Sequence, residues 1–215
     1  MRQRSRSNEP DWKVVVATFG IIFLVPCIIA SVIYYYSYRK SYPDKENGQR
    51  VFDLSSLWVP LAKGAIALGL SAALLSFSFS HMIEGRSVVW GLVFVLTAAL
   101  ALAAVFYVVP RYWAATYFGL AIDVDRDLVV FRKDMAYYGI GDFLTGRAVW
   151  EIGDLEAVPL SAVQRITREA GKYFYLHGAF GSRGVRFSNK QKRDEGIAAI
   201  EYARGRRLST GEFAQ

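Results

Sequence analysis

The stretch VVWGLVFVLTAALALAAVFYVV, residues 88–109, contains no charged side chain over 22 positions. A helix needs about 20 apolar residues to cross the ~30 Å hydrocarbon core of a bilayer, so this run predicts a transmembrane helix. Two other runs have the same character: residues 14–36 carry no charge, and residues 57–80 carry only Lys63, close to the start. We therefore predict a membrane protein with three transmembrane α-helices.

The polar segments between and after these runs complete the predicted organisation. Charged residues become frequent after Pro110, where a separate soluble domain is expected. The predicted segments are a polar N-terminal tail (1–13), transmembrane helices (14–36, 57–80 and 88–109), a polar loop (37–56), a short loop (81–87), a soluble domain (110–207) and a flexible tail (208–215).

Composition excludes some classes of partner. The chain has 215 residues, of which 53% are hydrophobic and 21% charged, and its net charge is +7. Residues 1–109 contain 10 Lys+Arg and 6 Asp+Glu, and residues 110–215 contain 16 and 13, so neither half is a polycation. A nucleic-acid partner is therefore not expected, whereas the lipid bilayer is.

The second apolar run carries small residues four positions apart, at Ala65, Gly69 and Ala73. Small residues let membrane helices approach closely. Packing within the chain is favoured over oligomerisation through this ridge. Because no ionisable residue lies near a span centre, the helices fit an anchor or assembly surface better than a channel or transporter.

The distribution of Lys and Arg near the span ends predicts the orientation. Five lie on the side of the N-terminal tail and the 81–87 loop, and six lie on the other side, or seven if Lys63 extends its side chain there. This bias favours a cytoplasmic C-terminal domain.

Residues 110–207 show short β-type runs followed by a helical pattern. Ser188 and Gln191 have the spacing of a capping box, which predicts a helix start at Ser188, and Gly205 predicts its end. Asp123, Asp125 and Asp127 are predicted to form a turn rather than a calcium loop, since position six of that loop is not glycine. The predicted strands are Thr116–Ile122, Leu128–Lys133, Arg147–Ile152, Val163–Arg168, Tyr173–Gly178 and Gly184–Phe187.

Six or seven strands closed by one C-terminal helix resemble the pleckstrin-homology-like (PH-like) fold. Within it, residues 158–166, VPLSAVQRI, resemble the proline-leucine step that leads into a middle strand of bacterial PH-like domains. The whole chain resembles small bacterial multi-pass proteins of the plasma (inner) membrane that carry such a domain.

This resemblance implies a membrane-anchored interaction or scaffold module that binds a protein partner at the cytoplasmic face. It also suggests a subunit of a larger envelope assembly for secretion or conjugation. A small transporter or channel component with a regulatory domain is the alternative. The acidic first hairpin loop argues against phosphoinositide binding at that loop.

Chemistry-bearing residues are few. The two histidines, His81 and His177, and the single cysteine, Cys27, form no catalytic pattern, and no cofactor or metal motif is present, so an enzyme is not expected. The sequence instead indicates a basic cluster around the start of the last helix. A solvated face is the favoured interpretation of this cluster, and anionic lipid headgroups or an acidic protein surface are the partners expected if it is a binding site. The basic cluster consists of Arg183, Arg186, Lys190, Lys192 and Arg193.

Overall fold

The computed structural model describes residues 12–41, 48–85, 88–135, 138–169 and 171–212. Most of the predicted N-terminal tail, residues 1–11, and the last three residues, 213–215, lie outside this part of the chain. Three helices are long and apolar enough to cross a membrane. They are Ile21–Ser41, Leu54–Ile83 and Val88–Phe118.

Four α-helices build the membrane half within the described residues. The third span continues past its predicted end at Val109, because Pro110 lies in the first turn of a helix, where a missing N–H is tolerated. A π-helical turn, Ala104–Val108, joins the two parts. The helices are α1 (Trp12–Ser41), α2 (Trp58–Gly85), α3 (Val88–Ala103) and α4 (Val109–Phe118).

Two predicted loops are therefore shorter than expected. Residues 81–85 of the predicted short loop belong to α2, while residues 86–87 lie outside the described residues. The predicted 37–56 loop begins with the end of α1, and it also contains a strand and the start of a 3-10 turn, Leu54–Leu57.

The small-residue ridge does not pack within the chain. Gly64 and Leu68 are on the buried face of α2, and a Cβ at Gly64 would lie 2.5 Å from the Trp113 ring. Ala65, Gly69 and Ala73 are exposed instead, and a Cβ at Gly69 would meet nothing within 4 Å. The prediction that this ridge packs inside the chain is therefore wrong among the described residues.

In the described part of the soluble half, two antiparallel sheets and a C-terminal helix are accompanied by two short helices between β3 and β4. The four-stranded sheet has the order β1-β2-β3-β4, and the three-stranded sheet has the order β5-β6-β7. The strands are β1 (Gly48–Val51), β2 (Leu120–Asp123), β3 (Leu128–Arg132), β4 (Leu155–Pro159), β5 (Val163–Arg168), β6 (Tyr173–Gly178) and β7 (Gly181–Arg186).

Both sheets and the last helix, α7 (Lys190–Glu212), enclose one apolar core. Phe131, Phe174, Leu176 and Ile200 are fully buried in it. Val51 joins the same core from the loop between α1 and α2, so the fold needs a strand that precedes the soluble domain in sequence.

The hairpin of β5 and β6 confirms the predicted strands at their predicted bounds. Residues 124–127 form the predicted aspartate-rich turn, in which Asp123 Oδ1 accepts the Arg126 N–H at 3.0 Å. The strand predicted from Thr116 begins only at Leu120, because α4 extends to Phe118 and Gly119 breaks the helix at φ 75°.

Other predicted strands are wrong or displaced. Arg147–Ile152 is not a strand: Arg147–Glu151 forms helix α6, preceded by helix α5 (Ile140–Leu144). The strand predicted at Gly184–Phe187 begins three residues earlier, at Gly181. The sequence interpretation missed β1 and β4.

Helix α7 begins and ends differently from the prediction. Asn189 Oδ1 accepts the Lys192 N–H at 2.8 Å, so Asn189, not Ser188, caps the helix. Gly205 does not end it, since the helix continues to Glu212. Residues 208–212 of the predicted flexible tail are therefore helical.

Candidate binding site at the membrane junction

The soluble domain is joined to the membrane helices through strand β1. β1 pairs antiparallel with β2, which follows directly after α4 and Gly119. Arg50 in β1 donates from Nε to the Phe118 carbonyl at 2.7 Å and from Nη1 to the Tyr35 hydroxyl at 2.8 Å. One arginine thus connects α1, β1 and the end of α4.

A second set of contacts joins the two halves near α6. Arg111 forms an ion pair with Asp154, and the Tyr38 hydroxyl donates to the Gly153 carbonyl at 2.8 Å. Gly153 has φ 76°, and a Cβ there would lie 2.4 Å from the Arg111 carbonyl carbon. Only glycine permits this close approach. The domain therefore sits against the helices in one defined position.

A cleft of about 370 Å³ lies where the start of α2, α4, β3 and β7 meet. We call it the junction cleft. Trp113 Nε1 donates to the Pro60 carbonyl at 2.9 Å, which fixes the start of α2 beside α4. Trp58 at the first turn of α2 is 74% exposed. Tryptophan is typical of the membrane–water interface, where Trp58 is therefore expected to lie.

Cations outnumber carboxylates in the wall of the junction cleft. Asp53 and Asp134 are its two carboxylates, and four basic side chains give the cleft a formal charge of +2. The basic residues are Lys63 in α2, Arg132 in β3, Lys172 in the β5–β6 turn and Arg186 in β7.

Two of these cations are held in place by neighbours. Arg132 donates to the Thr116 hydroxyl at 2.6 Å and lies 5.0 Å from the centre of the Tyr112 ring. Arg186 lies 5.2 Å from the centre of the Tyr173 ring. Because stacking leaves guanidinium N–H groups unused, both side chains retain donors for an anion.

Asp53 contributes to the fold of the cleft as well as to its charge. Its carboxylate accepts the Ser188 N–H at 2.6 Å and the Ser188 and Ser55 hydroxyls, each at 2.8 Å. Burial alone raises the pKa of Asp53, but these hydrogen bonds outweigh it and hold the pKa below its ordinary value. Ser188, predicted as a helix cap, thus links α7 to the start of α2.

The structure divides the predicted basic cluster. Arg186 alone lines the junction cleft, while Lys190 is exposed at the first position of α7. Arg183 pairs with Glu156, and Lys192 pairs with Glu195 at 2.7 Å. Arg193 is buried and donates to the Gly171 carbonyl at 2.7 Å. Its members do not converge on one cavity.

A second cleft of about 420 Å³ lies beside the first one. Lys133, Arg147 and Arg183 balance three carboxylates in its wall, and several of these charges are already paired with one another or with Glu151. It therefore has no excess charge with which to attract an ion.

The residues missed by the sequence interpretation are Lys63, Arg132 and Lys172. Of these three cleft residues, Lys63 alone had a signal in the sequence, since it is the one charge in an otherwise uncharged run and lies near the end of a span. Arg132 and Lys172 are 40 residues apart in sequence and meet Lys63 only through the fold.

The residues with catalytic potential lie apart. Cys27 is buried among the membrane helices, His81 lies near the end of α2, and His177 in β6 contacts the Thr167 hydroxyl at 2.6 Å. In the described part of the chain, no group of three or more His, Cys, Asp or Glu side chains is placed to hold a metal. Comparison with protein-family models, curated proteins and solved structures found no match to this chain.

Proposed function

We propose that this protein is a membrane-anchored interaction module whose junction cleft binds an anionic phospholipid headgroup. The membrane helices hold a PH-like domain against the cytoplasmic face of a bacterial plasma membrane. Two antiparallel sheets of four and three strands with one C-terminal helix support the PH-like interpretation, although β1 comes from an earlier part of the chain.

The observation that carries this proposal is a cavity with a formal charge of +2 beside the start of α2. Trp58 at that end of the span is exposed, which favours a position near the lipid headgroups. Small-ligand sites begin at about 300 Å³, so the cleft has room for a headgroup but not for a folded partner. Each basic residue near an anionic membrane surface contributes about 1 kcal/mol of attraction. A phosphodiester also accepts hydrogen bonds from Arg and Lys.

A protein partner, and membership in an envelope assembly, remain proposals that rest on the family resemblance. An acidic segment of such a partner would meet the same four cations. The test is crosslinking of the full-length protein in native membranes followed by mass spectrometry. Crosslinks from Lys63 or Lys172, the two lysines in the cleft wall, to one recurring partner are the expected result.

Nothing observed in the described spans supports the alternative of a transporter or channel component. The hydroxyls of Ser71, Ser76 and Ser80 each donate to a carbonyl four residues earlier in α2. Ser78 and Thr97 contact each other across α2 and α3 at 3.0 Å. The first three hydroxyls are thus used within α2, and the Ser78–Thr97 contact joins α2 to α3.

Headgroup binding is tested with two matched double variants of the full-length protein. Lys63→Gln with Lys172→Gln removes two charges from the junction cleft, and Lys190→Gln with Lys192→Gln removes two from the predicted basic cluster. We expect the parent to prefer phosphatidylglycerol over phosphatidylcholine, and the cleft variant, which lacks two such charges, to bind phosphatidylglycerol roughly thirtyfold more weakly. Native mass spectrometry in neutral detergent measures both.

Two outcomes contradict the proposal: no anionic preference in the parent, or equal loss of binding in both double variants.

The orientation is tested separately by fusing alkaline phosphatase or a fluorescent protein after Gln215. Fluorescence without phosphatase activity is expected for a cytoplasmic domain.

A further inference from the structure

Helices α5 and α6 expose large apolar side chains that no described part of the chain covers. Leu144 is 83% exposed, Ile140 80%, Trp150 67% and Val149 39%. They occur within eleven residues, between β3 and β4. A concentration of exposed apolar surface of this kind marks a contact with another protein or with a membrane.

The contacts of α6 place this surface beside the third span. The Trp150 carbonyl accepts the Tyr107 hydroxyl at 2.9 Å and Arg111 Nη1 at 2.8 Å. The Tyr107 and Trp150 rings meet edge to face with centroids 5.4 Å apart. Tyr107 belongs to the π-helical turn, so α6 is attached directly to a membrane helix.

Helix geometry gives an expected depth for Tyr107 when Val88 is taken as the opposite boundary of the span. With a rise of 1.5 Å per residue, Tyr107 lies about 28 Å along the helix from Val88. That distance is close to the ~30 Å thickness of the hydrocarbon core. Leu100, Leu102 and Phe106, which precede it, are 61%, 55% and 50% exposed. The apolar surface of α5 and α6 therefore continues the lipid-facing surface of α3 at the membrane boundary.

The charged residues of this segment are compatible with such a position. Glu151 accepts hydrogen bonds from Lys133 and Tyr138, and it pairs with Arg147 at 2.9 Å. Arg147 also lies 3.8 Å from Asp142. Paired charges cost less to bring into a region of low water content than isolated ones. Tryptophan and tyrosine prefer this boundary.

We propose that α5 and α6 lie in the headgroup region of the adjacent leaflet, with Ile140, Leu144 and Trp150 in contact with lipid. The occupant of this surface is the bilayer itself, because the surface is continuous with a span and is attached to it through Tyr107 and Arg111. This inference is independent of the ligand of the junction cleft.

The test measures the depth of fluorescent labels in the full-length protein. Cys27→Ala removes the native thiol, and Ile140→Cys, Leu144→Cys or the control Gln164→Cys introduces one. Gln164 is an exposed position of β5. Each protein is labelled with an environment-sensitive maleimide and placed in neutral liposomes, with or without doxyl-labelled lipid. If Cys27→Ala impairs folding, the same positions are labelled with Cys27 retained, since that thiol is buried.

We expect labels at 140 and 144 to emit at shorter wavelength than the label at 164 and to be quenched by doxyl lipid. The control should be quenched by aqueous iodide instead. Iodide quenching at 140 and 144 equal to that at 164 would overturn the inference. Blue-shifted emission without doxyl quenching would also overturn it, because a second protein surface would then cover the helices.

Discussion

Five basic residues form the predicted cluster around the start of α7, and four line the junction cleft; the two sets share only Arg186. They differ in what their side chains contact. Arg183, Lys192 and Arg193 in the predicted cluster are engaged with carboxylates or carbonyls of the same chain. The cleft cations come from α2, β3, β7 and a turn, and they converge on one cavity. Basic residues that are close in sequence therefore need not form a binding site, whereas basic residues that line one cavity can bind an anion together.

The two sets are nevertheless connected through the β5–β6 turn. Arg193 donates to the carbonyls of Glu169 and Gly171, at 3.1 and 2.7 Å. Lys172 follows directly in this turn, and its carbonyl accepts the Phe187 N–H at 2.9 Å. Arg193 is therefore a positioning residue, which holds the turn that brings Lys172 to the cleft.

The largest expected effect is a difference in the free energy of unfolding between a variant of Arg193 and a variant of nearby Lys190. Arg193→Ala removes charge-assisted hydrogen bonds from a side chain that is 10% exposed, which should lower the free energy of unfolding by about 1.5–3 kcal/mol. Lys190→Ala removes the same charge from an exposed position and should change it by less than about 0.5 kcal/mol. Thermal unfolding of the full-length protein in detergent compares the two. Similar losses in both variants would mean that Arg193 acts only through its charge.

The second prediction concerns the link between Ser188 and Asp53. Ser188→Ala removes one of the hydroxyls that bind the Asp53 carboxylate and should cost about 1.5 kcal/mol. If the hydroxyl acts through Asp53, a double-mutant cycle with Asp53→Ala will show a coupling energy of about 1 kcal/mol. Independent effects of the two substitutions would instead restore Ser188 as a helix cap.

How far the sequence predicts this molecule depends on whether the decisive contacts are local. The three spans and the β5–β6 hairpin depend on runs of neighbouring residues and were predictable. Strand β1 was not, because four residues in a polar loop become a strand only when β2 pairs with them. The helix α6 was mistaken for a strand because its five residues are too few for periodicity to distinguish the two. The junction cleft was not predictable either, because its walls are formed by residues that are far apart in sequence.

A smaller effect on stability is expected at Asn189, the residue that caps α7. Asn189→Ala removes the acceptor for the Lys192 N–H and should cost about 1 kcal/mol. Asn189→Asp keeps an acceptor and adds a favourable charge at the helix start, so its stability should equal or exceed that of the parent. Urea unfolding of both variants measures the difference. Equal destabilisation by both would show that the amide group of Asn189, rather than the cap, is required.

The smallest expected effect is the dependence of stability on pH that Asp53 contributes. Because its pKa is lower in the folded protein than the ordinary value of 3.8, the unfolded chain binds more protons as the pH falls toward that value. The stabilisation from Asp53 is therefore complete above the ordinary pKa and is lost as the pH falls through the folded pKa. Asp53→Asn removes this titration, so the gap in unfolding temperature between the parent and the variant should narrow as the pH is lowered from 6 to 3. Other carboxylates, including Glu151, whose pKa its partners Arg147, Lys133 and Tyr138 lower to about 2, titrate in both proteins and leave this difference unaffected. A gap that stays constant over this range would mean that the hydrogen bonds from Ser188 and Ser55 do not favour the charged form of Asp53.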